Sequence, residues 1–181
     1  MGRSDPTDEL LSWQIQPSDV GWVWVAWSAQ GVRAIVLADN EAALLAERQA
    51  HWHEPCSPAP WGDVDASVHP WVRAVLNLIA QPASEEAQNM SLPLDVRGTA
   101  FQKLVWAALR QIPPGQTVSY SELAQRLGQP RAVRAVAGAC AANVLAVVIP
   151  CHRVVRRDGG LSGYRWGVSR KQALLQREAS L

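Results

Sequence analysis

Three side chains in the last third of this 181-residue chain can do chemistry together: Cys151, His152 and Glu178. The first two lie in Val147-Val148-Ile149-Pro150-Cys151-His152-Arg153-Val154-Val155. The β-branched run predicts a buried strand, and Pro150, which has no N–H to give to a ladder, ends or bends it. Cys151 and His152 are therefore expected at a strand end, where a scaffold presents side chains to a substrate. A cysteine nucleophile acts as its thiolate, and a histidine is the usual base that makes one. Consecutive residues of a strand point to opposite faces, so His152 reaches the sulfur only through a bend at Pro150 or through a bridging water. Glu178 follows Leu174 and Leu175 at helical spacing, so its carboxylate lies along their apolar face. It is a candidate to hold the far side of the imidazole in a Cys–His–Glu relay. The plainer alternatives are a buried structural cysteine and a frayed helix end.

The elements that must position these groups are mostly helical. Thr99 with Gln102 and Ser119 with Glu122 fit capping boxes, as does Ser169 with Gln172 at the start of the last helix. Phe101, Leu104, Val105, Ala108, Leu109 and Ile112 fall on one helical face, which Pro113-Pro114-Gly115 ends. A second helix opens at Ser119, and a third is expected over residues 131–142. The short turn Gly128-Gln129-Pro130 between them suggests a helix-turn-helix. The third helix is mostly alanine and glycine, with Arg131 and Arg134 near its start. Close packing accounts for the alanines but not for the arginines, which favour DNA contact. Asn143 can cap this helix or brace the next turn. Arg156-Arg157-Asp158-Gly159-Gly160 reads as a basic turn, and Ser162 to Gly167 as a glycine-rich aromatic loop.

The net charge of +1 conceals a polarity. Residues 1–96 carry four Arg against thirteen Asp and Glu, a net −9, and residues 97–181 carry thirteen Lys and Arg against three acids, a net +10. A basic half in which arginine dominates suits bidentate phosphate contacts and points to nucleic acid. No apolar run is long enough to span a bilayer, and the first residues carry no apolar leader, so a membrane partner is not expected. Three cysteines without regular spacing do not suggest a disulfide framework, which fits a reducing cytoplasm. His51, His53 and Cys56 lack a fourth ligand at zinc-site spacing, so no metal site is expected.

The first half reads as α/β. Strands are expected over Ser12–Gln16, Gly21–Ser28 and Gly31–Ala38, with a tight turn at Ala29-Gln30. A helix capped by Asp39 should run to about His51, and another carries Val68, Val72, Val75, Leu76 and Ile79. Residues 54–66 read as a loop, 81–91 as a polar linker, and 92–96 as an extended segment that joins the sheet or crosses to a second domain.

Together these motifs resemble a known family. Phe101-Gln102, Val105-Trp106, Ile112-Pro113, Ser119-Tyr120, Leu123-Ala124, Arg134-Ala135-Val136, Asn143, Ile149-Pro150-Cys151-His152-Arg153-Val154 and Gly163-Tyr164 are similar to the O6-alkylguanine–DNA alkyltransferases. The similarity runs from about Leu92 to Glu178, and its Pro-Cys-His-Arg stretch is specific. Within the family, the second half looks most like the alkyltransferase domain of the bacterial adaptive-response protein.

The resemblance implies a ribonuclease-H-like α/β N-terminal domain over residues 1–91. A mainly α, winged helix-turn-helix-like domain over residues 92–181 would hold the site. It implies direct, stoichiometric transfer of an alkyl group from O6-alkylguanine, and from O4-alkylthymine, in double-stranded DNA to Cys151, by a cytoplasmic monomer without cofactor. It casts Cys151 as acceptor, His152 as base through a water, Glu178 as its orienter, Asn143 as brace and Tyr120 as donor to the departing guanine. Arg134 would fill the stack behind a flipped nucleotide, with Arg131, Ala135 and Tyr120 also at the DNA. Tyr164, Gly163, Val154 and Arg153 would wall the substrate pocket. Related lesion-binding proteins without chemistry replace the cysteine, whereas Cys151 is present here; a thiol hydrolase would turn over many substrates per cysteine.

Overall fold

The computed structural model describes residues 10–58, 60 and 68–180. Three strands, β1 (Ser12–Ser18), β2 (Gly21–Ser28) and β3 (Gly31–Ala38), form an antiparallel sheet in the order of the sequence. Every residue of β3 is buried, as its apolar run Ala-Ile-Val-Leu-Ala demands; Arg33 is buried as well, paired with Glu54. Helix α1 (Glu41–His51) packs on β2 and β3, and α2 (Pro70–Ala80) packs on β1. The N-cap of α1 is Asn40, whose side chain accepts from the Ala43 N–H, and not the expected Asp39, which pairs with Arg170 instead. Part of the expected loop over 54–66 lies outside the described residues. The expected linker over 81–91 contains a short helix, α3 (Glu85–Asn89), capped by Ser84 and anchored by buried Ala87. A single buried alanine leaves too little periodicity for the sequence to reveal such a helix.

A bare β3 edge would offer unpaired backbone groups to any passing strand. Two segments of the second half cover it. Val32 N–H donates to Pro93 O at 2.9 Å and Asp95 N–H to Val32 O at 2.9 Å. Ile35 N–H donates to Val144 O at 2.8 Å, and Ala146 N–H to Ile35 O at 3.2 Å. The chain just ahead of Cys151 is thereby stitched to the N-terminal sheet.

The second half is helical: α4 (Ala100–Leu109), α5 (Tyr120–Arg126), α6 (Val133–Ala141) and α7 (Val168–Ala179), with a two-residue parallel pair, β4 (Val118–Ser119) and β5 (Val154–Val155). The capping boxes at Thr99 and Ser119 both form. The third does not: α7 starts at Val168 after Gly167, which sits at φ 99° with no side-chain cap, and Ser169 is inside the helix. On α4, Leu104 is exposed and Trp106 buried, its indole N–H donating to Ala139 O at 2.8 Å. Tight packing of α4 against α6 rotates the buried stripe by part of a turn.

The strand expected to run up to Pro150 is absent. Residues 146–149 form a turn, Val147 takes φ 70°, and Cys151–Arg153 make one turn of 3-10 helix before β5. A run buried on all sides reads alike as strand or as packed turn, because periodicity carries no signal there. A β-branched residue at positive φ is costly and persists only where its surroundings fix it.

Candidate active site

Asn143 fixes this turn. Its side-chain N–H group donates to Ile149 O at 2.9 Å, reaches Leu145 O at 3.4 Å, and approaches the Cys151 sulfur at 3.3 Å. Its Oδ1 accepts from Leu145 N–H at 2.9 Å. One buried amide thus replaces the backbone ladder that a strand would have supplied. Cys151 is buried, and that burial pushes its thiol up from the ordinary value. The Asn143 hydrogen bond, Lys171 and Arg165 pull the other way without cancelling it. At neutral pH the resting group is a thiol, so it needs a base.

His152 is fully buried, with Nε2 at 2.8 Å from Glu178 Oε1. Glu178 also accepts from Arg153, whose Nη2 lies at 2.8 Å and Nε at 3.0 Å, while Arg153 Nη1 donates to Ile112 O. Burial pushes the Glu178 carboxyl up, but hydrogen bonds and charge from His152 and Arg153 outweigh it and hold it at about 2. Burial drives the His152 pKa down, further than Glu178 raises it. The pair is thus an ionised glutamate, matched by Arg153, and a neutral imidazole. A carboxylate only accepts, so Nε2 carries the imidazole proton and Nδ1 keeps its lone pair. Nδ1 is buried and bonds no group among the described residues, which leaves it available as a base.

Cys151 opens onto a cavity of about 460 Å³ lined also by Tyr120, Ala137, Cys140, Ala141, Ser162, Gly163, Tyr164 and Arg165. The volume suits a ligand of nucleobase size. Tyr164 closes one side, its ring edge-on to Trp166 at 5.2 Å. Two residues expected in the pocket wall stand elsewhere. Arg153 is turned to Glu178 and Ile112, and Val154 pairs with Val118 in β5 while its carbonyl accepts from Lys171.

Helix α6 forms one wall of the cavity. Ala137, Cys140 and Ala141 face the cavity, whereas Arg134, Ala135 and Gly138 are exposed, and Arg131 is exposed in the turn ahead of the helix. A Cβ placed on Gly138 would meet nothing within 4 Å. The small residues on this face are thus not explained by internal packing.

Three site residues escaped the sequence. Lys171 is wholly buried, its ammonium donating to Val154 O at 2.6 Å and Ser162 Oγ at 3.1 Å. A signal existed: Lys171 precedes Leu174, Leu175 and Glu178 by three, four and seven residues, the spacing of one buried stripe. Ser162 joins Lys171 to Tyr120, at 2.7 Å from its hydroxyl. Cys140 also lines the cavity, its thiol pushed up to about 12 by burial and by neighbouring Cys151.

A family model described as "6-O-methylguanine DNA methyltransferase, DNA binding domain" matches residues 100–180. The chain is 53% identical over 161 residues to the "Bifunctional transcriptional activator/DNA repair enzyme Ada" of Escherichia coli K12, covering 89% of this chain and 43% of that protein. It is 48% identical over 95 residues to the "Methylated-DNA--protein-cysteine methyltransferase" of Mycobacterium tuberculosis H37Rv, covering 52% of this chain and 58% of that one. This chain thus spans about half the length of these curated relatives. Among solved structures, Mycobacterium tuberculosis OGT in complex with DNA superposes with a TM-score of 0.72 at 32% identity, covering 93% of both chains. The O6-methylguanine-DNA methyltransferase of the archaeon Pyrococcus kodakaraensis KOD1 gives 0.69 at 26% identity, covering 93% of this chain and 99% of that one. A buried cysteine between an asparagine and a glutamate-anchored histidine, on a chain of which such structures match 93%, places this protein in the O6-methylguanine-DNA methyltransferase family.

Proposed function

We propose that this protein repairs DNA by moving the alkyl group of O6-alkylguanine, and of O4-alkylthymine, to Cys151 in a single irreversible event. The observation that carries the reading is the cavity itself: its one wall holds the Cys151 sulfur against Asn143, beside a neutral His152 anchored by Glu178. His152 Nδ1 takes the thiol proton through a water, the sulfur attacks the alkyl carbon in line, and the carbon–O6 bond breaks. The guanine leaves with the electron pair and takes a proton from Tyr120, whose hydroxyl borders the cavity. A thioether is a poor leaving group, so the protein is consumed.

The reacting atom is out of reach inside a duplex, so the nucleotide must be flipped into the cavity. Arg134 fills the gap in the stack, Arg131 and Tyr120 flank it, and Ala135 with its small neighbours lets α6 approach the minor groove, where little base identity is read. Tyr164 and Gly163 wall the alkyl group. The same reading takes residues 1–91 as a ribonuclease-H-like domain and 92–181 as a winged helix-turn-helix-like one, in a cytoplasmic monomer that meets alkylated duplex DNA.

The deciding measurement is intact mass and peptide mapping after mixing with duplex DNA containing O6-methylguanine. One methyl per protein, on Cys151, is expected, and none on Cys151→Ala. Methyl on Cys56 or Cys140, or several lesions repaired per protein, would sink the reading.

A further inference from the structure

Behind Tyr120 at the cavity runs a hydrogen-bonded chain whose other two members, Ser162 and Lys171, have no part in the transfer as described above. It runs from Lys171 Nζ to Ser162 Oγ at 3.1 Å and from Ser162 Oγ to the Tyr120 hydroxyl at 2.7 Å. We propose that Lys171 and Ser162 are positioning residues that aim the Tyr120 proton into the cavity and replace it once the guanine has taken it. This rests on the alkyl transfer proposed above.

The direction of the chain follows from what each group can do. An ammonium has donors only, so Ser162 Oγ must accept from Lys171. A hydroxyl that accepts from a cation becomes the stronger donor, so its single proton turns to the Tyr120 oxygen. Tyr120 then has its own proton free for the cavity it lines. Without Lys171 the Tyr120–Ser162 bond has no preferred direction, and the tyrosine proton can be lost to Ser162. Lys171 is held in place by Val154 O at 2.6 Å. Its charge faces both cavity cysteines, Cys140 from α6 and Cys151 from the 3-10 turn, and the field of His152; Tyr120 faces the same cysteines and Arg156. Burial lowers the Lys171 pKa and raises that of Tyr120, which suits a proton moving from the amine toward the phenol. The S–C bond forms as C–O6 breaks, His152 holds the thiol proton, the guanine anion gains the Tyr120 proton, Ser162 gives its own proton to Tyr120 and takes one from Lys171, and Lys171 ends as a neutral amine.

The test compares two alkylations of the same sulfur. Transfer from O6-methylguanine in duplex DNA needs its leaving group protonated, whereas iodoacetamide expels iodide and needs no proton. Single-turnover rates are taken for wild type, Tyr120→Phe, Ser162→Ala, Ser162→Thr and Lys171→Met at saturating DNA. Ser162→Ala and Lys171→Met are expected to lower the ratio of methylguanine rate to iodoacetamide rate by roughly 10-fold or more, toward Tyr120→Phe. Ser162→Thr, which keeps the hydroxyl, should restore it. In wild type the same ratio should fall as pH rises through the lowered Lys171 pKa, and in Lys171→Met that fall should vanish. Equal slowing of both reactions in Ser162→Ala, or no rescue by threonine, would overturn the relay and leave a merely structural pair. A wild-type protein that reacts with iodoacetamide but takes no methyl from DNA would instead defeat the proposed function, independently of the relay.

Discussion

Two arginines, Arg33 in β3 and Arg153 after Cys151, are buried to nearly the same degree, and each is paired with a glutamate. The partners differ. The Glu54 side chain is 29% exposed, and it also meets Arg97, which in turn binds Asp95. The Glu178 side chain is 3% exposed and holds His152 as well as Arg153. Arg33 stacks over Trp52 and pairs with a partly exposed carboxylate that also meets Arg97, so the first cluster works as a clasp between the sheet and the segment after Leu94. The second cluster leads its charge inward, to the buried imidazole of His152, next in the chain to Cys151. A buried ion pair is weak support for a fold, because desolvation offsets much of the attraction. Its retention is better explained where, as at Glu178, it sets the protonation state of a third group.

The strongest test of that contrast is Glu178→Ala. It strands Arg153 and His152 in the interior, and the cost of an uncompensated buried charge is about 3–5 kcal/mol. Denaturant unfolding should show that loss, and methyl transfer should fall even where the variant remains folded. A loss under about 1 kcal/mol, the range of an exposed pair, would erase the distinction from Glu54.

A third arginine sharpens the comparison from outside. Arg134 is exposed, so Arg134→Ala should leave stability almost unchanged. Flipping costs a few kcal/mol and only a duplex incurs it, so repair of duplex DNA should slow by roughly 10- to 100-fold. The free base O6-benzylguanine should react with Cys151 nearly as before. Equal slowing of both substrates would assign Arg134 to the cavity and not to the stack.

Acid should separate the two clusters next. His152 has a folded pKa below its ordinary 6.5, and Glu178 one of about 2 against 4.5. In both cases the unfolded chain binds more protons, so their contribution is complete above about pH 6.5 and is lost as pH falls. The loss begins below 6.5 with His152 and continues between 4.5 and 2 with Glu178. Thermal midpoints measured across this range should decline in wild type, and Glu178→Gln should flatten the lower part. An unchanged slope in that variant would place the acid sensitivity elsewhere.

The smallest effect belongs to the clasp. Glu54→Ala removes a partner that water can replace in part, and should cost about 1 kcal/mol or less with no change in methyl-transfer rate. A marked fall in that rate would show that the clasp reaches the Cys151 turn through β3 and Ile35.

The strands of the sheet, α1 and α2 were legible because half-buried or fully apolar runs bounded by turn residues leave little choice. So were two of the capping boxes, since Thr99 with Gln102 and Ser119 with Glu122 act within one helical turn. Short α3 was not, because five residues with one buried side chain leave no period. Ser169 failed as a cap because Gly167, at positive φ, already starts α7 two residues earlier.

The sequence by itself determined which side chains could react: a Pro-Cys-His-Arg run, a glutamate on the apolar face of the last helix and an asparagine ahead of the run, all within a basic half. Those properties are local, set by residue type and by spacing along one element. Only the tertiary structure decided how they act. It turned an apparent strand into a 3-10 turn braced by Asn143, and sent Arg153 behind the cavity to Glu178. It also brought Lys171 and Ser162 to Tyr120 from separate elements. A buried charge has no signature in sequence beyond its place on an apolar stripe, because its partners come from other parts of the chain and exist only once the fold has closed.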